Sequence, residues 1–441
     1  MLSILAHRTY RHLFAAQIIA LVGTGLTTVA LGLLAFDLAG NDAGVVLGTA
    51  LAIKMMAYVG VAPIAAAFAE RWPRRTMLVT LDLARAGVAL FLPFVSQLWE
   101  IYVLIFVLQA TSAAFTPTFQ ATIPEVLPLE EDYTKALSLS RVAYDMESLV
   151  SPVLAAALLT VMGFHALFAG TAVGFLASAL LVVSVTLPVH ALPPRRSIYD
   201  RTTRGLRIYG ATPRLRGLLA VNMAVAAAGS MVFVNTVVIL QGAMGLNQRS
   251  VALALTSFGV GSMLAALALP PLLVKRSDRS VLLGGMGLLV TGMFAGMMLR
   301  GQGSLMALWF VLGVGYSTAQ TPSGRLLRRS SHPADRSAVF AAQFALSHAC
   351  WLLFYPLAGW LGARYGMPVT FAVLGTAGAV AVGVTVRVWP SQDPEVIAHD
   401  HPELAPGHAH LQGAFATHHS GRHAHPFVVD EHHPHWPKMG G

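Results

Sequence analysis

Apolar and polar segments alternate along the first 390 or so residues of this 441-residue chain at a spacing typical of membrane-spanning helices. A helix needs about 20 apolar residues to cross the hydrocarbon core of a bilayer. The pattern predicts twelve such helices, at residues 13–36, 44–68, 77–95, 99–119, 138–161, 165–187, 217–240, 250–274, 280–299, 304–324, 338–360 and 367–388. Polar residues interrupt the second and the eleventh, at Lys54 and His348. The sequence therefore predicts an all-α membrane protein, and its first helix is too long for a cleaved signal peptide.

The composition supports this class and sets an orientation. Hydrophobic residues make up 55% of the chain and charged residues 11%, which excludes a soluble globular protein. Arginine and lysine concentrate in the loops after even-numbered helices, and such loops face the cytoplasm. We therefore expect both termini in the cytoplasm and the chain in a bacterial inner membrane. The net charge of +9 is explained by loops beside anionic lipid headgroups, so no nucleic-acid partner is needed.

The two halves of the chain repeat each other at an offset of roughly 205 residues. The matching features are Thr116-Pro117 with Thr321-Pro322, Pro128 with Pro333, the charged turn 70–75 with 275–279, and Ser151-Pro152 with Tyr355-Pro356. Two parallel six-helix repeats with a binding site between them are the layout of one large transporter class. The predicted division is a six-helix half at 1–187, a cytoplasmic linker at 188–216, a second half at 217–390 and a tail at 391–441, in a monomer.

Two motifs give this layout a family resemblance. Ala66-x-x-x-Glu70-Arg71-Trp72-Pro73-Arg74-Arg75 resembles the loop G-x-x-x-D-R-x-G-R-R of the major facilitator superfamily. Glu147-x-x-x-Ser151-Pro152-x-x-Ala155-Ala156 is similar to the antiporter motif of that superfamily, G-x-x-x-G-P-x-x-G-G. The stretch from Thr116 to Ala136 resembles the efflux branch that includes the enterobactin exporter. The resemblance implies the twelve-helix major facilitator fold and proton-coupled export.

The tail after residue 391 contains eleven of the seventeen histidines. These are His399, His401, His408, His410, His418, His419, His423, His425, His432, His433 and His435. Imidazoles at His-x-His or His-His spacing bind nickel, cobalt, zinc or copper ions. Its many prolines and low apolar content predict a tail that is disordered without metal. The tail resembles that of nickel-resistance efflux proteins, which implies Ni²⁺; no other cofactor is expected.

Ionisable groups inside a predicted span are costly and mark candidate functional residues. Glu147 is the first candidate for a residue that alternates between a proton and the metal ion, and Asp145 lies on another side of the same helix. His348 is a candidate ligand or proton acceptor, or else a packing residue bonded to the backbone. Further candidates are Asn222 and Asn235, which offer amide oxygens, and Lys54, which either pairs with an acid or gates the cavity.

A second group of charged residues lies at the predicted cytoplasmic ends of the helices. The family resemblance implies that they form one inter-helix network that locks one alternating-access state: Glu70, Arg71, Arg74, Arg75, Asp82, Arg85 and Arg141. Within it, Asp82 and Arg85 are one helical turn apart and are expected to pair.

Three functions remain open from the sequence. The first is export of a divalent metal ion, nickel before cobalt, by proton antiport, with the bilayer, the ion and protons as partners. The second is export of a siderophore or drug, with the tail as a metal buffer. The third is a membrane-tethered metal sensor. No nucleophile elbow, P-loop or zinc-protease helix is present in the sequence, so we do not expect an enzyme.

Overall fold

The computed structural model describes residues 2–39, 43–69, 72–188, 197–394, 396–400, 422–430, 432–433 and 435–437. Fourteen α-helices are assigned within these ranges: α1 (Arg8–Ala39), α2 (Ala43–Ala69), α3 (Arg74–Phe91), α4 (Leu98–Val126), α5 (Glu130–Leu159), α6 (His165–Val183), α7 (Ile198–Ala211), α8 (Pro213–Val237), α9 (Gln248–Lys275), α10 (Asp278–Gly296), α11 (Gln302–Gln320), α12 (Ser323–Arg329), α13 (Arg336–Tyr365) and α14 (Met367–Val388). A π-helical segment, Val238–Ala243, prolongs α8.

Each of the twelve predicted spans overlaps one of the twelve long helices, which confirms the all-α fold class. The helices often begin earlier than the apolar windows, because their first turns are polar; α5 begins at Glu130 rather than at residue 138. Among the described residues, ten helices are long and apolar enough to cross a membrane. The exceptions are α5 and α11. Helix α5 carries acidic and basic side chains along half its length, so its place in the membrane depends on helix neighbours rather than on lipid.

Helix packing is the same in the two halves. In the first half, α1 packs on α5 and α6, α3 packs on α4 and α6, and α2 packs on α4. In the second half, α8 packs on α13 and α14, α10 packs on α11 and α14, and α9 packs on α11. The halves meet at two equivalent contacts, α2 with α13 and α5 with α9. This pseudo-two-fold arrangement is what the sequence repeat predicts.

The predicted linker contains the amphipathic helix α7. Its N-cap is Ser197, whose hydroxyl accepts a 3.1 Å hydrogen bond from the backbone N–H of Asp200. Gly205 allows α7 to approach α13 closely, since a Cβ there would lie 2.0 Å from the carbonyl oxygen of Ala338. Arg204 also forms an ion pair with Asp335 at 2.6 Å, so this segment is fixed to the second half.

Two short strands and the segment after them are the parts of the tail that the structure describes, and the prediction of disorder for residues 401–421 lies outside the described residues. Strands β1 (Val396–Asp400) and β2 (Arg422–Pro426) form an antiparallel pair. Phe427 and Val429 are buried, and Trp436 packs against the core of the second half. Val429 and Trp436 thus gain their burial from the membrane body rather than from a core within the tail.

Candidate functional site

A cavity of about 480 Å³ lies between the two halves. Residues of α1, α2, α3, α4 and α5 line it from the first half, and residues of α11, α12 and α13 from the second. Its place at the interface of two repeats is where transporters of this layout bind their cargo. We take it as the candidate transport site.

Aromatic rings form much of the cavity wall. Tyr58 of α2 contacts Phe344 of α13, with ring centroids 4.9 Å apart, and Tyr316 of α11 lies 6.4 Å from Trp351. Phe115 and Phe119 of α4 stack at 5.8 Å on another wall. Such a surface suits a bulky apolar molecule as well as a small ion.

Glu147 is the carboxylate among the cavity-lining residues. It lies where α5 approaches α1: a Cβ on Gly25 would be 2.9 Å from its Oε1 and 2.2 Å from the side chain of Ser151. Lys54 also lines the cavity, and its charge acts on Glu147. Its ammonium lies 5.6 Å from the centre of the Tyr58 ring. The structure thus brings Lys54 and Glu147 together from two helices.

His348 faces the same cavity from the second half. Its Nδ1 lies 2.7 Å from the carbonyl oxygen of Phe344. A carbonyl only accepts, so Nδ1 carries the proton and the neutral ring keeps a lone pair on Nε2. The edge of the ring contacts Tyr58 at 4.7 Å. The two roles considered for His348, a packing residue and a ligand or proton acceptor, are therefore compatible. One ring nitrogen is hydrogen-bonded to the backbone, and the other can accept a proton or bind an ion.

Asp145 has a different position from Glu147. It forms an ion pair with Arg141 and accepts a 2.5 Å hydrogen bond from Ser262 of α9, and it is 4% exposed. It is not among the residues that line the cavity. The Arg141 guanidinium in turn lies 5.0 Å from the Tyr316 ring of the second half. Asp145 therefore joins the halves, and the interpretation of it as a coupling residue is not supported by its place.

Asn222 and Asn235 of α8 lie in the core of the second half rather than at the cavity. Asn222 Nδ2 donates to the carbonyl of Leu218 at 2.8 Å, and Asn235 Nδ2 donates to the carbonyl of Ala358 at 3.2 Å. Both side chains are buried. The Asn222 amide bonds a carbonyl of its own helix and the Asn235 amide bonds a carbonyl of α13, so neither side chain is placed to bind cargo in the cavity.

The predicted charge network is divided into separate groups. Asp82 pairs with Arg85, as expected, and also accepts a 2.8 Å hydrogen bond from Ser178. The Arg85 guanidinium lies between two phenylalanine rings, 3.9 Å from Phe115 and 4.6 Å from Phe175. Arg141 pairs with Asp145 instead of joining this group, because one helix turn along α5 places that carboxylate nearer.

Arginines link the two halves at the end of the bundle that is predicted to face the cytoplasm. Arg74 of α3 forms an ion pair with Glu125 at 2.7 Å and donates to Ser337 of α13 at 2.9 Å. Arg336 lies 3.9 Å from the same Glu125. Arg75 donates to the carbonyl of Val183. The proposed partners Glu70 and Arg71 lie outside the described residues.

A second set of contacts at this end involves α12. Arg325 of α12 pairs with Glu130 of α5, and it contacts Asp278 at 2.9 Å. We call the five cations Arg74, Arg325, Arg328, Arg329 and Arg336 the arginine-rich end. In the sequence, the last four of these arginines supported only the orientation of the chain, and Glu125 was not a candidate. The repeat of Pro128 as Pro333 beside these residues was the sequence feature that could have predicted a role for them at the contact between the halves.

Three tail histidines converge on one point. The ring nitrogens of His399, His425 and His433 lie within 4.8 Å of one another. His433 is 4% exposed and its Nε2 is 2.8 Å from Nε2 of His399. His432 and His435 are exposed and lie outside this group. His423 faces His399 in the strand pairing, and the other five tail histidines fall outside the described residues.

Asp430 supports this histidine group. Its Oδ1 lies 2.9 Å from Nδ1 of His433 and accepts from the backbone N–H groups of His432 and His433. Burial alone would raise the pKa of the Asp430 carboxyl, but the hydrogen bonds from the His433 ring and from the two backbone N–H groups lower it to about 2. The carboxylate is therefore ionised at neutral pH and can only accept.

Comparisons with known proteins identify the class and then the family. Helices in two repeats around a central cavity define a membrane transporter. Residues 13–215 and 218–418 match the model of the Major Facilitator Superfamily, and the chain belongs to that family. It is accordingly a multi-pass membrane protein. Its neighbours in that family are transporters rather than enzymes.

Similar proteins include several exporters. An uncharacterised transporter of this superfamily from Bacillus subtilis, YfiS, is 27% identical over 175 residues, which are 38% of this chain and 40% of that one. Macrolide efflux protein A of Streptococcus pyogenes is 24% identical over 181 residues, or 40% of this chain and 44% of that one. The chain thus spans less than half the length of the curated relatives that it matches.

Two solved structures show the same fold. The human organic anion transporter MFSD10 superposes with a TM-score of 0.75 at 10% identity, covering 86% of this chain and 99% of that one. A bacterial homologue of the iron transporter ferroportin, in an outward-facing state, gives 0.73 at 14% identity with the same coverage. At these identities the likeness concerns the fold alone.

Proposed function

We propose that this transporter exports a divalent transition-metal ion, nickel before cobalt, from the cytoplasm in exchange for protons. The observation that carries the proposal is that Glu147 and His348, one from each half, line the same cavity. A carboxylate oxygen and an imidazole nitrogen are both ligands for such ions, and both bind protons. An ion held between them would be released when the halves move apart.

Few ligands are an advantage in this role. A carrier must release its cargo, and a complete cage of four ligands would bind too tightly for turnover. Lys54 beside Glu147 provides a cation that can compensate the carboxylate while the cavity is empty. Its repulsion of a bound dication would favour release.

The histidine-rich tail supports a transition-metal ion as the cargo. Eleven imidazoles tethered at the predicted cytoplasmic face raise the local concentration of ions near the cavity. Their resemblance to the tails of nickel-resistance proteins favours nickel, whereas affinity alone would favour copper.

The test is metal content in a sensitive bacterial host that expresses the chain, with Ni²⁺, Co²⁺, Zn²⁺ and Cu²⁺ offered in parallel. We expect lower cell-associated nickel, and an uncoupler should abolish the difference. Glu147→Gln and His348→Ala should restore nickel to the level of the host alone. Glu131→Gln and His165→Ala, at exposed positions, are the matched controls. Unchanged content of all four metals would refute the proposal.

A second candidate is export of an organic molecule, and the aromatic cavity wall favours it. A volume of about 480 Å³ is within the range of sites for drug-sized ligands. Arg85 and Lys54 would suit an anionic group on that molecule. Growth inhibition by macrolides and by organic anions, measured beside the metals in the same host, separates the two. Protection against an organic compound that Tyr58→Ala removes, without any change in metal content, would support this candidate.

A further inference from the structure

We propose that His399, His425 and His433 form one resident site for a single divalent transition-metal ion, distinct from the transported ion in the central cavity. This site follows from the geometry of the tail and holds for either cargo considered above. It differs from loose chelation by a histidine-rich segment, because three particular rings from three separate places in the sequence are oriented together.

The hydrogen-bond partners of the three rings determine which ring nitrogen carries the proton. Nδ1 of His399 lies 2.9 Å from the carbonyl oxygen of Ile397, and Nδ1 of His425 lies 2.9 Å from that of Pro426. Nδ1 of His433 faces the Asp430 carboxylate. All three partners only accept, so each Nδ1 is the donor, and each neutral ring carries its lone pair on Nε2. In many metal sites, a hydrogen bond from the ring nitrogen that does not bind the metal orients the histidine ligand in this way.

The ligand atoms of the three rings lie close together. Nε2 of His399 and Nε2 of His433 are 2.8 Å apart, and the three potential ligand atoms lie within 4.8 Å of one another. Two lone pairs that close repel each other unless a metal ion or a proton lies between them. Bonds of about 2.0–2.1 Å to a tetrahedral ion place neighbouring nitrogens about 3.3 Å apart. Ring movements of about 1.5 Å or less would therefore complete such a site.

The histidine group is largely shielded from solvent. Nε2 of His425 is inaccessible to solvent, and His433 is almost fully buried. The Phe427 ring contacts two of the histidines edge-on, at 5.1 Å from His399 and 4.7 Å from His433. An ion in this enclosed place would exchange slowly. We therefore assign it a resident role rather than a step on the transport path.

The site is connected to the membrane body through residues that follow β2. Arg214 of α8 donates to the carbonyl of Phe427 at 3.0 Å, and its guanidinium lies 4.8 Å from the Trp436 ring. An ion that joins β1, β2 and the segment around His433 would fix this docked arrangement. Binding of an ion at the site would therefore hold the tail in its packed position against α8.

The test uses the purified full-length protein, depleted of metal and titrated with Co²⁺. Equilibrium dialysis measures stoichiometry and affinity, and visible absorption reports the coordination of the ion. We compare the triple variant His399→Ala, His425→Ala, His433→Ala with a control that also loses three tail histidines, His410→Ala, His419→Ala, His435→Ala. The wild type and the control should bind one tight ion per chain, and the first variant should lose it.

A further variant keeps all three histidine ligands and changes the residue that orients one of them. Asp430→Asn removes the charge behind His433 and should weaken the tight site by about 10–100-fold, as is usual for second-sphere changes. Metal-free melting temperatures of all variants serve as the folding control. Equal loss of weak sites in both triple variants, with no tight ion in the wild type, would overturn the proposal. Export assays are separate from this readout, so failure of the proposed function leaves the binding result intact.

Discussion

The hydroxyl of Ser262 donates a 2.5 Å hydrogen bond to Asp145, and it joins α9 of the second half to α5 of the first inside the bundle. Asp145 is simultaneously the partner of Arg141. One buried carboxylate thereby links two helices from different halves, and it is the hydrogen-bond partner of Ser262 on one helix and the ion-pair partner of Arg141 on the other.

This relationship predicts a large loss of stability on Asp145→Ala. Removal of one partner from a buried ion pair typically costs about 3–5 kcal/mol, because the other charge stays buried. Ser262→Ala should cost less, about 1.5–3 kcal/mol, as the loss of one hydrogen bond to a charged group. Thermal unfolding of the detergent-solubilised protein measures both. Asp132→Ala is the control, since its pair with Lys135 lies at the surface and such pairs contribute about 0–1 kcal/mol.

This role of Asp145 could not be predicted from the sequence. The helical position of the residue was readable, but the partner that it faces across the interface depends on how two halves distant in sequence meet. The same limit explains Asn235 of α8, whose amide donates to the carbonyl of Ala358 in α13. Periodicity gave the helices, and the repeat gave their pairing. Side-chain partners between helices required coordinates.

Gly25 leads to a prediction about Glu147. A Cβ at Gly25 would lie 2.2 Å from the side chain of Ser151 and 2.9 Å from Oε1 of Glu147. Gly25→Ala should therefore displace α5 from α1, lower stability by about 1–3 kcal/mol and impair export. Gly60→Ala is the matched control, because nothing lies within 4 Å of a Cβ at that position. Equal export by the two variants would show that the α1–α5 contact tolerates this change.

The arginine-rich end predicts control of access to the cavity. Arg325 pairs with Glu130 across the halves and contacts Asp278, so Arg325→Gln should favour opening at this end. A cavity cysteine, Ser347→Cys, can be introduced in a Cys350→Ser background, since Cys350 is the only native cysteine. Labelling by a membrane-impermeant maleimide from the arginine-rich side should become faster. Arg300→Gln, an exposed change at the other end, should leave the rate unaltered. A rate that Arg325→Gln does not raise would argue against a gate here.

The tail was the least predictable part of the fold. Its histidines pointed to metal from composition alone, but no sequence pattern selected His399, His425 and His433 from eleven candidates. The selecting interactions are the β1–β2 pairing, the hydrogen bond from Arg214 to the carbonyl of Phe427 and the packing of Val429 against the core of the second half. The last two are contacts between the tail and a surface that the apolar windows describe only as helix ends.

Deletion of residues 391–441 should reduce metal tolerance without abolishing it, because the cavity residues remain. The deletion also removes Asp393, which contacts Arg329, Arg214 and Trp389, and it uncovers Arg214, which is 1% exposed. A fall in tolerance could therefore come from lost packing as well as from lost metal delivery. A full-length chain with all eleven tail histidines changed to alanine separates the two causes, since it keeps Asp393, Phe427 and Trp436. If delivery is the function of the tail, both chains should lose tolerance, while only the deletion should lower the melting temperature of the metal-free protein. Full tolerance in the alanine-substituted chain would instead assign the tail a structural role in holding α8.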